Sequence, residues 1–367
     1  MNEFPFADDL GPSRVVHLYE PSIGLRAAVV VDNVAAGPSI GGVRMARDVS
    51  TEECFRLARA MTLKNAAAEL PHGGGKAVIF ADPAMAETDK ERAIRAFASL
   101  IQELDDYIPG PDMGTNETCM AWIRDETGRA VGLPRELGGI PLDTIGATGF
   151  GLAVAIDVAE GYCAIRAAGA RVAVQGFGAV GMHVARRLSQ RGAVVVAVAD
   201  SAGTLLDANG LDVETLIALK RDGHKVVDAS FGEKRGRDAV IEADCDILVP
   251  AARPDVITES NASRVKARLI AQGANIPATD AAEVLLHERG ILCLPDFIVN
   301  AGGVICASVE YHGGSEAAAL ALIEERVARN TQDVLEFARK QDVTPRAAAR
   351  ALVDARVSRL MSYRRRH

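Results

Sequence analysis

Hydrophobic and polar positions along the chain change their pattern near residue 140. Before that point, apolar runs at 27–31 and 76–83 predict two strands, the second of which ends at its proline. Helical periodicity over 50–70 and 88–104 predicts two helices that alternate with these strands. The N-terminal part of the chain is therefore expected to mix strands and helices.

After the turn-rich stretch 134–143, five short apolar segments alternate with helical patterns, namely RVAVQ, VVVAVAD, CDILVPAA, ARLIAQ and ILCLP. This alternation is typical of a parallel, doubly wound sheet. Two alanine-rich helical stretches follow between 316 and 361. Because 367 residues are also too many for one ordinary core, we predict an α/β protein with domains at 1–143 and 144–325 and C-terminal helices at 326–367.

Composition narrows the class of protein. The content of 49% hydrophobic and 25% charged residues fits a globular protein, and the net charge of −8 argues against nucleic acid or an anionic membrane as partner. The N-terminal stretch is acidic without an apolar leader, and the longest apolar run, 193–199, is too short to span a bilayer. Six cysteines lack a Cys-x-x-Cys spacing, so we expect reduced thiols, a cytoplasmic location and no metal site.

A glycine motif follows the first strand of the second domain. The segment RVAVQGFGAVG places Gly176, Gly178 and Gly181 between that strand and a helix, and Ala179 and Val180 lie within the motif. These glycines allow a tight turn and close approach of backbone N–H groups to a pyrophosphate at the helix N-terminus. The second domain is therefore predicted to be a Rossmann-type dinucleotide-binding domain.

The next strand ends at Asp200, which is 24 residues after the first glycine of the motif. A carboxylate at this place can accept hydrogen bonds from a ribose diol and repels a 2′-phosphate, which favours NAD over NADP. The neighbouring Ser201 could help accept that phosphate, so NADP stays possible.

Two lysines flank a run of three glycines in the segment TLKNAAAELPHGGGKAV. A Walker-type phosphate loop is excluded because Leu70 replaces its first glycine and Ala77 follows the lysine. Helical spacing predicts an apolar face of the first helix that includes Cys54, Leu57, Met61 and Ala68. Lys64 lies on this face, although its ammonium could also reach solvent from the end of it. The glycines before Lys76 are expected to leave a hollow that a small molecule can fill.

Two lysines beside one hollow suit a substrate that carries a carboxylate. One can bind the carboxylate as a cation, while the other, made easier to deprotonate by the neighbouring charge, can act as acid or base. Further along, the turn IPGPDMGTNE fixes Asp112, which could exchange protons with an amine or could simply cap the turn.

The complete set of motifs resembles the Glu/Leu/Phe/Val dehydrogenase family, closest in character to its leucine/phenylalanine branch. The motifs follow the family's order over nearly the whole chain: GGVRM, AMTLKNAAAELPHGGGKAV, GPDMGT, GATGFG, GFGAVG, VPAA, QGAN and NAGGV. The resemblance implies a homo-oligomer with an N-terminal substrate domain, a cofactor domain, a cleft between them and C-terminal helices that pack back toward the first domain.

The resemblance also implies roles for individual residues. Lys64 would hold the substrate α-carboxylate, Lys76 would activate water, and Asp112 would carry protons to and from the amino group. Gly41 and Gly42 would bring the backbone close to the substrate. The nicotinamide end of the cofactor would meet further residues of the second domain: Thr148, Ala251, Asn275 and Asn300.

The same family comparison bears on the substrate side chain. Glutamate-specific members use a lysine and a serine at positions that hold Ile40 and Ala307 here, so a buried side-chain carboxylate would lack a partner. An apolar side chain is expected instead, although GATGFG and ADSAGT are more typical of the glutamate branch. His72 replaces a commonly apolar residue, and it could recognise a hydroxyl or a ring or only pack on the loop.

We therefore predict oxidative deamination of a branched-chain or aromatic L-amino acid to the 2-oxo acid and ammonia, with NAD as the hydride acceptor. Glutamate or a hydroxy-substituted amino acid is the alternative substrate. A catalytically silent NAD-binding protein is a remote alternative, because a sensor has no need of Lys64, Lys76 and Asp112 together.

Overall fold

The computed structural model describes residues 6–364 and divides the chain into two compact units. Of the described residues, the first unit contains those up to Leu142, Val304–Ala319 and those from Leu352 to Arg364. The second unit consists of Asp143–Gly303 and Leu320–Ala351. The cleft predicted between two domains stays a prediction.

A five-stranded sheet forms the centre of the first unit, in the spatial order β1-β2-β4-β3-β5. The three strands β3, β4 and β5 are parallel to each other, whereas β2 is antiparallel to both of its neighbours, β1 and β4. The strands are β1 (Arg14–Glu20), β2 (Leu25–Asn33), β3 (Ser39–Ala46), β4 (Gly73–Phe80) and β5 (Tyr107–Pro111).

Helices cover the two faces of this sheet and are α1 (Thr51–Ala67), α2 (Glu87–Leu100) and α3 (Glu117–Thr127). On one face, Phe97 of α2 and Met120 of α3 join a buried cluster with the odd-numbered residues of β4. On the other face, Cys54 of α1 packs with the even-numbered residues of β2 and β4. Lys76 lies on the α1 face because strand side chains alternate between the two faces.

The buried stripe of α1 differs from the predicted one. Cys54 is buried as expected, but the stripe continues through Ala58, Thr62 and Asn65, whereas the predicted Met61 is only half-buried. The two polar members are hydrogen-bonded, since the Thr62 hydroxyl donates to Asp32 (2.5 Å) and the Asn65 amide donates to the Gly73 carbonyl (2.7 Å). Hydrogen bonds to the sheet therefore help to determine which face of α1 is buried. Hydrophobic periodicity alone could not reveal these polar partners.

The expected hollow around the three glycines before Lys76 is wrong. Gly73, Gly74 and Gly75 belong to β4 and are buried. A Cβ atom on Gly74 would overlap Thr62 of α1, and one on Gly75 would lie 2.6 Å from the Ser39 hydroxyl and 2.9 Å from the Tyr107 ring. The glycines thus allow the helix and the neighbouring strands to pack closely on β4.

A seven-stranded sheet forms the second unit, in the order β12-β11-β10-β6-β7-β8-β9. The strands from β12 to β7 in this order are parallel, and β8 and β9 extend the sheet in antiparallel fashion. The strands are β6 (Arg171–Gln175), β7 (Val194–Ala199), β8 (Thr204–Leu206), β9 (Glu233–Arg235), β10 (Ile247–Pro250), β11 (Leu269–Ala271) and β12 (Leu292–Leu294). The doubly wound parallel sheet predicted from the five apolar segments is confirmed.

The remaining helices are α4 (Leu142–Ile145), α5 (Ala147–Ala159), α6 (Ala179–Gln190), α7 (Val213–Arg221), α8 (Asp280–Glu288), α9 (Asp296–Val299), α10 (Gly302–Tyr311), α11 (Glu316–Gln341) and α12 (Pro345–Tyr363). By length and composition, one stretch in the described part of the chain, Leu142–Ala159, could cross a membrane. Because 56% of this stretch is buried inside the protein, it also has the character of a core helix. All six cysteines are free thiols, and only Cys163 is not fully buried.

Candidate active site

Lys76 and Asp112 form an ion pair on one face of the first sheet. The Lys76 ammonium lies 2.9 Å from Oδ2 of Asp112, and the two side chains are 7% and 22% exposed. Lys76 lies within β4, and Asp112 follows the last residue of β5. A Cβ atom on Gly42 would lie 3.1 Å from the Lys76 ammonium and 2.7 Å from Cβ of Asp112. The structure therefore brings together three of the predicted residues, and Gly42 leaves room for the other two.

Arg44 is a third member of this cluster that the sequence did not reveal. Its Nε donates a hydrogen bond of 2.8 Å to the same Oδ2 of Asp112. Burial would raise the pKa of Asp112, but the charges of Lys76 and Arg44 outweigh burial and lower it. Alternation along β3 places Arg44 on the face of Gly42, and this spacing within GGVRM was the available signal.

Two further predicted substrate residues are Lys64 and Gly41. Lys64 is half-buried in the last turn of α1, and its carbonyl accepts from the Ala68 amide at 3.0 Å. A Cβ atom on Gly41 would overlap the Gly75 carbonyl, so the packing of β3 against β4 requires a glycine there. The Tyr107 hydroxyl donates to the Gly41 carbonyl at 2.9 Å and fixes this part of β3.

Ile40 and Ala307 meet in a small apolar cluster of the first unit. Ile108 of β5 and Val131 complete this cluster, and the four residues are at most 7% exposed. Gly42 and Ile40 lie on the same face of β3, so the cluster lies on the face that carries Lys76. None of its four side chains can be charged or donate a hydrogen bond.

His72 immediately precedes β4 and is 2% exposed. Its Nδ1 lies 3.2 Å from the Pro38 carbonyl, which can only accept, so Nδ1 carries the proton in the neutral ring. Burial lowers the pKa of His72 to about 4. Its ring centroid lies 5.7 Å from that of Tyr311 and 5.2 Å from that of His312. In the described part of the chain, the buried Nε2 of His72 has no hydrogen-bond partner.

The glycine motif of the second unit has the geometry of a pyrophosphate site. Gly176 has a φ of 95°, which favours glycine, and a Cβ atom on Gly181 would overlap the Gly176 carbonyl. A Cβ atom on Gly178, by contrast, would meet nothing within 4 Å. Gly178 also precedes Ala179 at the start of α6, and no side chain caps this helix. The protein's own packing explains two of the glycines, and the open space at Gly178 fits a dinucleotide pyrophosphate.

Asp200 lies just after β7, where a ribose would be bound. Its Oδ2 accepts from the Lys220 ammonium (2.8 Å) and the Val226 amide (3.0 Å), and its Oδ1 accepts from the Ala202 amide (2.9 Å). Burial would raise the pKa of Asp200, but Lys220 and these amides outweigh burial and lower it. One lone pair of the carboxylate remains for a ribose hydroxyl.

Ser201 follows Asp200 directly in the chain and is exposed. Its hydroxyl is 3.4 Å from the ammonium of Lys225, which the sequence did not single out. A hydroxyl and a cation at this place, together with the neutralising Lys220, fit a 2′-phosphate as well as a free ribose.

Asn275 and Asn300 meet in the second unit, where the Asn300 amide donates to Oδ1 of Asn275 at 3.1 Å. Oδ1 of Asn300 is buried without a partner in the described part of the chain, which suits the amide of a nicotinamide. A Cβ atom on Gly303 would lie 3.5 Å from the Thr148 hydroxyl, and one on Gly273 would lie 3.2 Å from the Ala251 side chain. Between residues 6 and 364, no group of three or more potential metal ligands occurs.

Two family models match the chain. The model described as Glutamate/Leucine/Phenylalanine/Valine dehydrogenase matches residues 138–365. The model described as the Glu/Leu/Phe/Val dehydrogenase dimerisation domain matches residues 12–129.

Similar proteins include a glutamate dehydrogenase of Aeropyrum pernix, 38% identical over 90% of this chain and 85% of that protein. An NADP-specific glutamate dehydrogenase of Saccharolobus shibatae is 37% identical over 90% of this chain and 83% of that protein. An NAD-specific glutamate dehydrogenase of Staphylococcus aureus is 36% identical over 90% of this chain and 84% of that protein. Both cofactors therefore occur among proteins of comparable similarity.

Two solved structures extend this comparison. The Leu-bound form of the hetero-hexameric glutamate dehydrogenase of Thermus thermophilus has a TM-score of 0.87 and 30% identity, covering 97% of this chain and 91% of that one. The L-tryptophan dehydrogenase of Nostoc punctiforme has a TM-score of 0.74 and 26% identity, covering 96% of this chain and 98% of that one. Proteins of this fold thus include dehydrogenases named for glutamate and for an aromatic amino acid.

Proposed function

The chain belongs to the Glu/Leu/Phe/Val dehydrogenase family, and from that premise we propose that it oxidatively deaminates an L-amino acid with an apolar side chain. It is an NAD(P)-dependent amino-acid dehydrogenase. The residues of the first unit would bind the amino acid and move its protons. The bound cofactor would supply the acceptor for the hydride that leaves Cα.

Lys64, Lys76 and Asp112 each have a chemical part in this proposal. Lys64 would bind the α-carboxylate as a cation. Lys76 and Arg44 both contact Oδ2 of Asp112, so Oδ1 would take a proton from the substrate amine. Lys76 would activate the water that adds to the imine carbon, and collapse of the resulting carbinolamine would release ammonia and the 2-oxo acid.

The apolar cluster at Ile40 and Ala307 is the observation that supports an apolar substrate. Burying a side-chain carboxylate against Ile40, Ile108, Val131 and Ala307 would cost several kcal/mol, because none of them can pair with it. An aliphatic or aromatic side chain gains roughly 25 cal/mol for each Å² buried there.

Glutamate is the second candidate substrate. The names of similar proteins support it, since three proteins of 36–38% identity are glutamate dehydrogenases. A residue outside the apolar cluster would then have to bind the side-chain carboxylate. The open Nε2 of His72 accepts a hydrogen bond when neutral, so it would favour a hydroxyl or ring N–H over a carboxylate.

The decisive experiment follows NADH or NADPH absorbance across a panel of L-amino acids that includes leucine, valine, phenylalanine, tryptophan, glutamate and β-hydroxy amino acids. We expect kcat/KM for an apolar member to exceed that for glutamate at least about tenfold, the discrimination that about 1.4 kcal/mol provides. Higher kcat/KM for glutamate would establish the second candidate. No turnover with any amino acid would refute the proposed activity.

A double variant tests the specificity argument directly. Ile40→Lys with Ala307→Ser supplies the two side chains that glutamate-specific members use at these positions, and Arg47→Lys at an exposed site serves as control. We expect the double variant to lose activity on the preferred apolar substrate and to gain activity on glutamate. Unchanged preference would separate these positions from substrate recognition.

Oligomerisation and location complete the proposal. The dimerisation-domain description of the match at 12–129 and the hetero-hexameric assembly of the Thermus thermophilus protein support an oligomer, which we propose to consist of copies of this chain. The expected cytoplasmic location is part of this proposal, in keeping with six free cysteines.

A further inference from the structure

The Lys76–Asp112 pair poses a chemical difficulty that Arg44 resolves. In the proposed mechanism Lys76 must give up its proton to activate water. If Lys76 were the only cation beside Asp112, that step would leave a carboxylate of 22% exposure without a counter-charge. An unpaired, desolvated carboxylate binds protons more tightly, so Asp112 would retain the proton that it has to pass on.

Arg44 contacts the carboxylate independently of Lys76. Its Nε lies 2.8 Å from Oδ2 of Asp112, the oxygen that also receives Lys76 at 2.9 Å. A guanidinium keeps its proton at any physiological pH, whereas a buried lysine can give up its proton and act as a general base. The counter-charge that Arg44 supplies therefore persists when Lys76 is neutral.

The side chain of Arg44 is itself anchored. Its Nη1 lies 2.5 Å from Glu53 of α1, and the amide of Glu53 donates to the Ser50 hydroxyl at the N-cap of that helix. Helix α1 also carries Lys64 in its last turn. Arg44 thus links the helix of the predicted carboxylate-binding lysine to the predicted proton carrier.

The backbone of Asp112 is fixed beside the same strand. The Asp112 amide donates to the Thr115 hydroxyl at 3.0 Å, and that hydroxyl donates to the carbonyl of Val43 at 2.8 Å. Because β3 holds both the backbone and Oδ2 of Asp112, its Oδ1 has one fixed orientation. Within residues 6–364, the ion pairs of Asp112 with Lys76 and Arg44 both use Oδ2 and leave Oδ1 on the other side of the carboxylate.

We propose that Arg44 is a positioning residue that favours the ionised form of Asp112 when Lys76 is neutral and reserves Oδ1 of Asp112 for the substrate amine. This inference rests on the proposed function for its kinetic consequences, but not for the charge state of Asp112. Arg44 acts through Asp112 and does not itself exchange protons.

The ionisable groups around Asp112 are consistent with this assignment. Lys76 approaches from β4 and Arg44 from β3, while Glu53 of α1 is bound to Arg44 and not to Asp112. Cys54 and Tyr107 complete the buried surroundings, and burial raises the pKa of both, so they stay neutral. Arg44 is therefore the one permanent cation in contact with Asp112 within the described part of the chain.

The first test compares the pH dependence of kcat/KM in the wild type, Arg44→Gln, Arg44→Lys and the control Arg47→Gln, whose parent side chain is 77% exposed. In Arg44→Gln we expect the acid limb to move upward by about one pH unit or more and kcat to fall at least about tenfold. KM should change little because Lys64 is retained. Arg44→Lys should restore much of the acid limb, and Arg47→Gln should behave as the wild type.

The second test measures the charge of Asp112 without turnover. Infrared difference spectra follow its carboxyl stretch with pH, and Asp112→Asn assigns the band. We expect Arg44→Gln to raise the titration midpoint by about one unit or more. If Arg44→Gln leaves the infrared titration midpoint of Asp112 unchanged, the proposal is overturned. It is also overturned if the midpoint rises but the acid limb of the kcat/KM profile does not move. A wild type without turnover refutes the proposed function alone, and the infrared midpoint then decides the role of Arg44.

Discussion

His72 shows how a single buried residue links stability to pH. Burial lowers the pKa of its imidazole from 6.5 to about 4, so between these values the unfolded chain binds more protons than the folded one. The contribution of neutral His72 to the free energy of unfolding is therefore present in full above pH 6.5 and is lost as the pH decreases toward 4. At pH 5 the loss is about 2 kcal/mol, from 1.36 kcal/mol for each unit of difference.

We therefore expect His72→Leu to remove this acid-linked loss. Urea unfolding of the wild type and the variant at pH 7 and pH 5 gives the measurement, and the difference between the two proteins should change by about 2 kcal/mol between the two pH values. His17→Leu is the matched control, because His17 lies on the partly exposed edge strand β1. If the free energies of unfolding of the wild type and of His72→Leu changed equally between pH 7 and pH 5, His72 would not be buried and neutral in the folded protein.

The same variant separates the two interpretations of His72. If its open Nε2 accepts a hydrogen bond from the substrate, His72→Leu should lower kcat/KM about tenfold for a hydroxylated or indole side chain and much less for leucine. Equal effects on all substrates would assign His72 to packing against Tyr311 and His312.

Residue identity and spacing predicted part of this site. Lys76 and Asp112 are 36 positions apart in sequence, and in the structure Nζ of Lys76 lies 2.9 Å from Oδ2 of Asp112. Arg44 was missed because β3 was not predicted as a strand, so the alternation that places Arg44 on the face of Gly42 was not applied. The contact of Arg44 with Asp112 also depends on the pairing of β3 with β4 and β5. The roles of these residues in catalysis stay predictions.

At the scale of elements, apolar runs located strands that contain few glycines. The segment RVAVQ was predicted as a strand and forms β6 over the same five residues. Strand β3, with the sequence SIGGVRMA, and the first three residues of β4, with the sequence GGG, were not predicted as strands. Isolated strand propensity disfavours glycine, whereas close packing of neighbouring backbones requires it at Gly41, Gly74 and Gly75.

The loop before α6 gives a matched pair of glycine variants. A Cβ atom on Gly178 meets nothing within 4 Å, so Gly178→Ala should fold normally and lose cofactor affinity by about tenfold or more, because its methyl group occupies the space for the pyrophosphate. A Cβ atom on Gly181 overlaps the Gly176 carbonyl, so Gly181→Ala should lower the melting temperature even without cofactor.

Calorimetric binding of NADH and thermal unfolding without cofactor distinguish these two effects. Gly236→Ala serves as the control away from the motif, since Gly236 has a φ of −60° and a Cβ atom there would meet nothing within 4 Å. Wild-type affinity for NADH in Gly178→Ala would show that the pyrophosphate lies elsewhere.

At the scale of the whole molecule, the division of the chain into two units could not be read completely from sequence. The change of pattern near residue 140 is visible in the hydrophobic positions. The hydrophobic positions do not reveal that Val304–Ala319 belongs to the first unit. This segment belongs there because Ala307 and Glu310 contact strands and loops that are far away in sequence. Glu310, for example, accepts hydrogen bonds from the amides of Leu133 and Ile140 at 3.1 and 2.8 Å.

Assembly gives the last prediction. Strand β1 lies at the edge of the first sheet and pairs only with β2 within the described residues, so the backbone groups along its outer edge are available to another chain. Val15 and Tyr19 on this strand are 40% and 61% exposed. Lysines at both positions would leave the isolated chain intact but would bring like charges together if two copies of β1 pair across a two-fold axis.

We expect Val15→Lys with Tyr19→Lys to shift the mass in light scattering from a multiple of 38.7 kDa toward smaller species, with an unchanged circular dichroism spectrum. The control is Tyr363→Lys on α12, where the parent side chain is 70% exposed and lies outside the sheet. High salt should partly restore the assembly, because it screens repulsion between exposed lysines. An oligomer of unchanged mass in the double variant would exclude β1 as the contact between copies and direct the search to the other surfaces of the first unit.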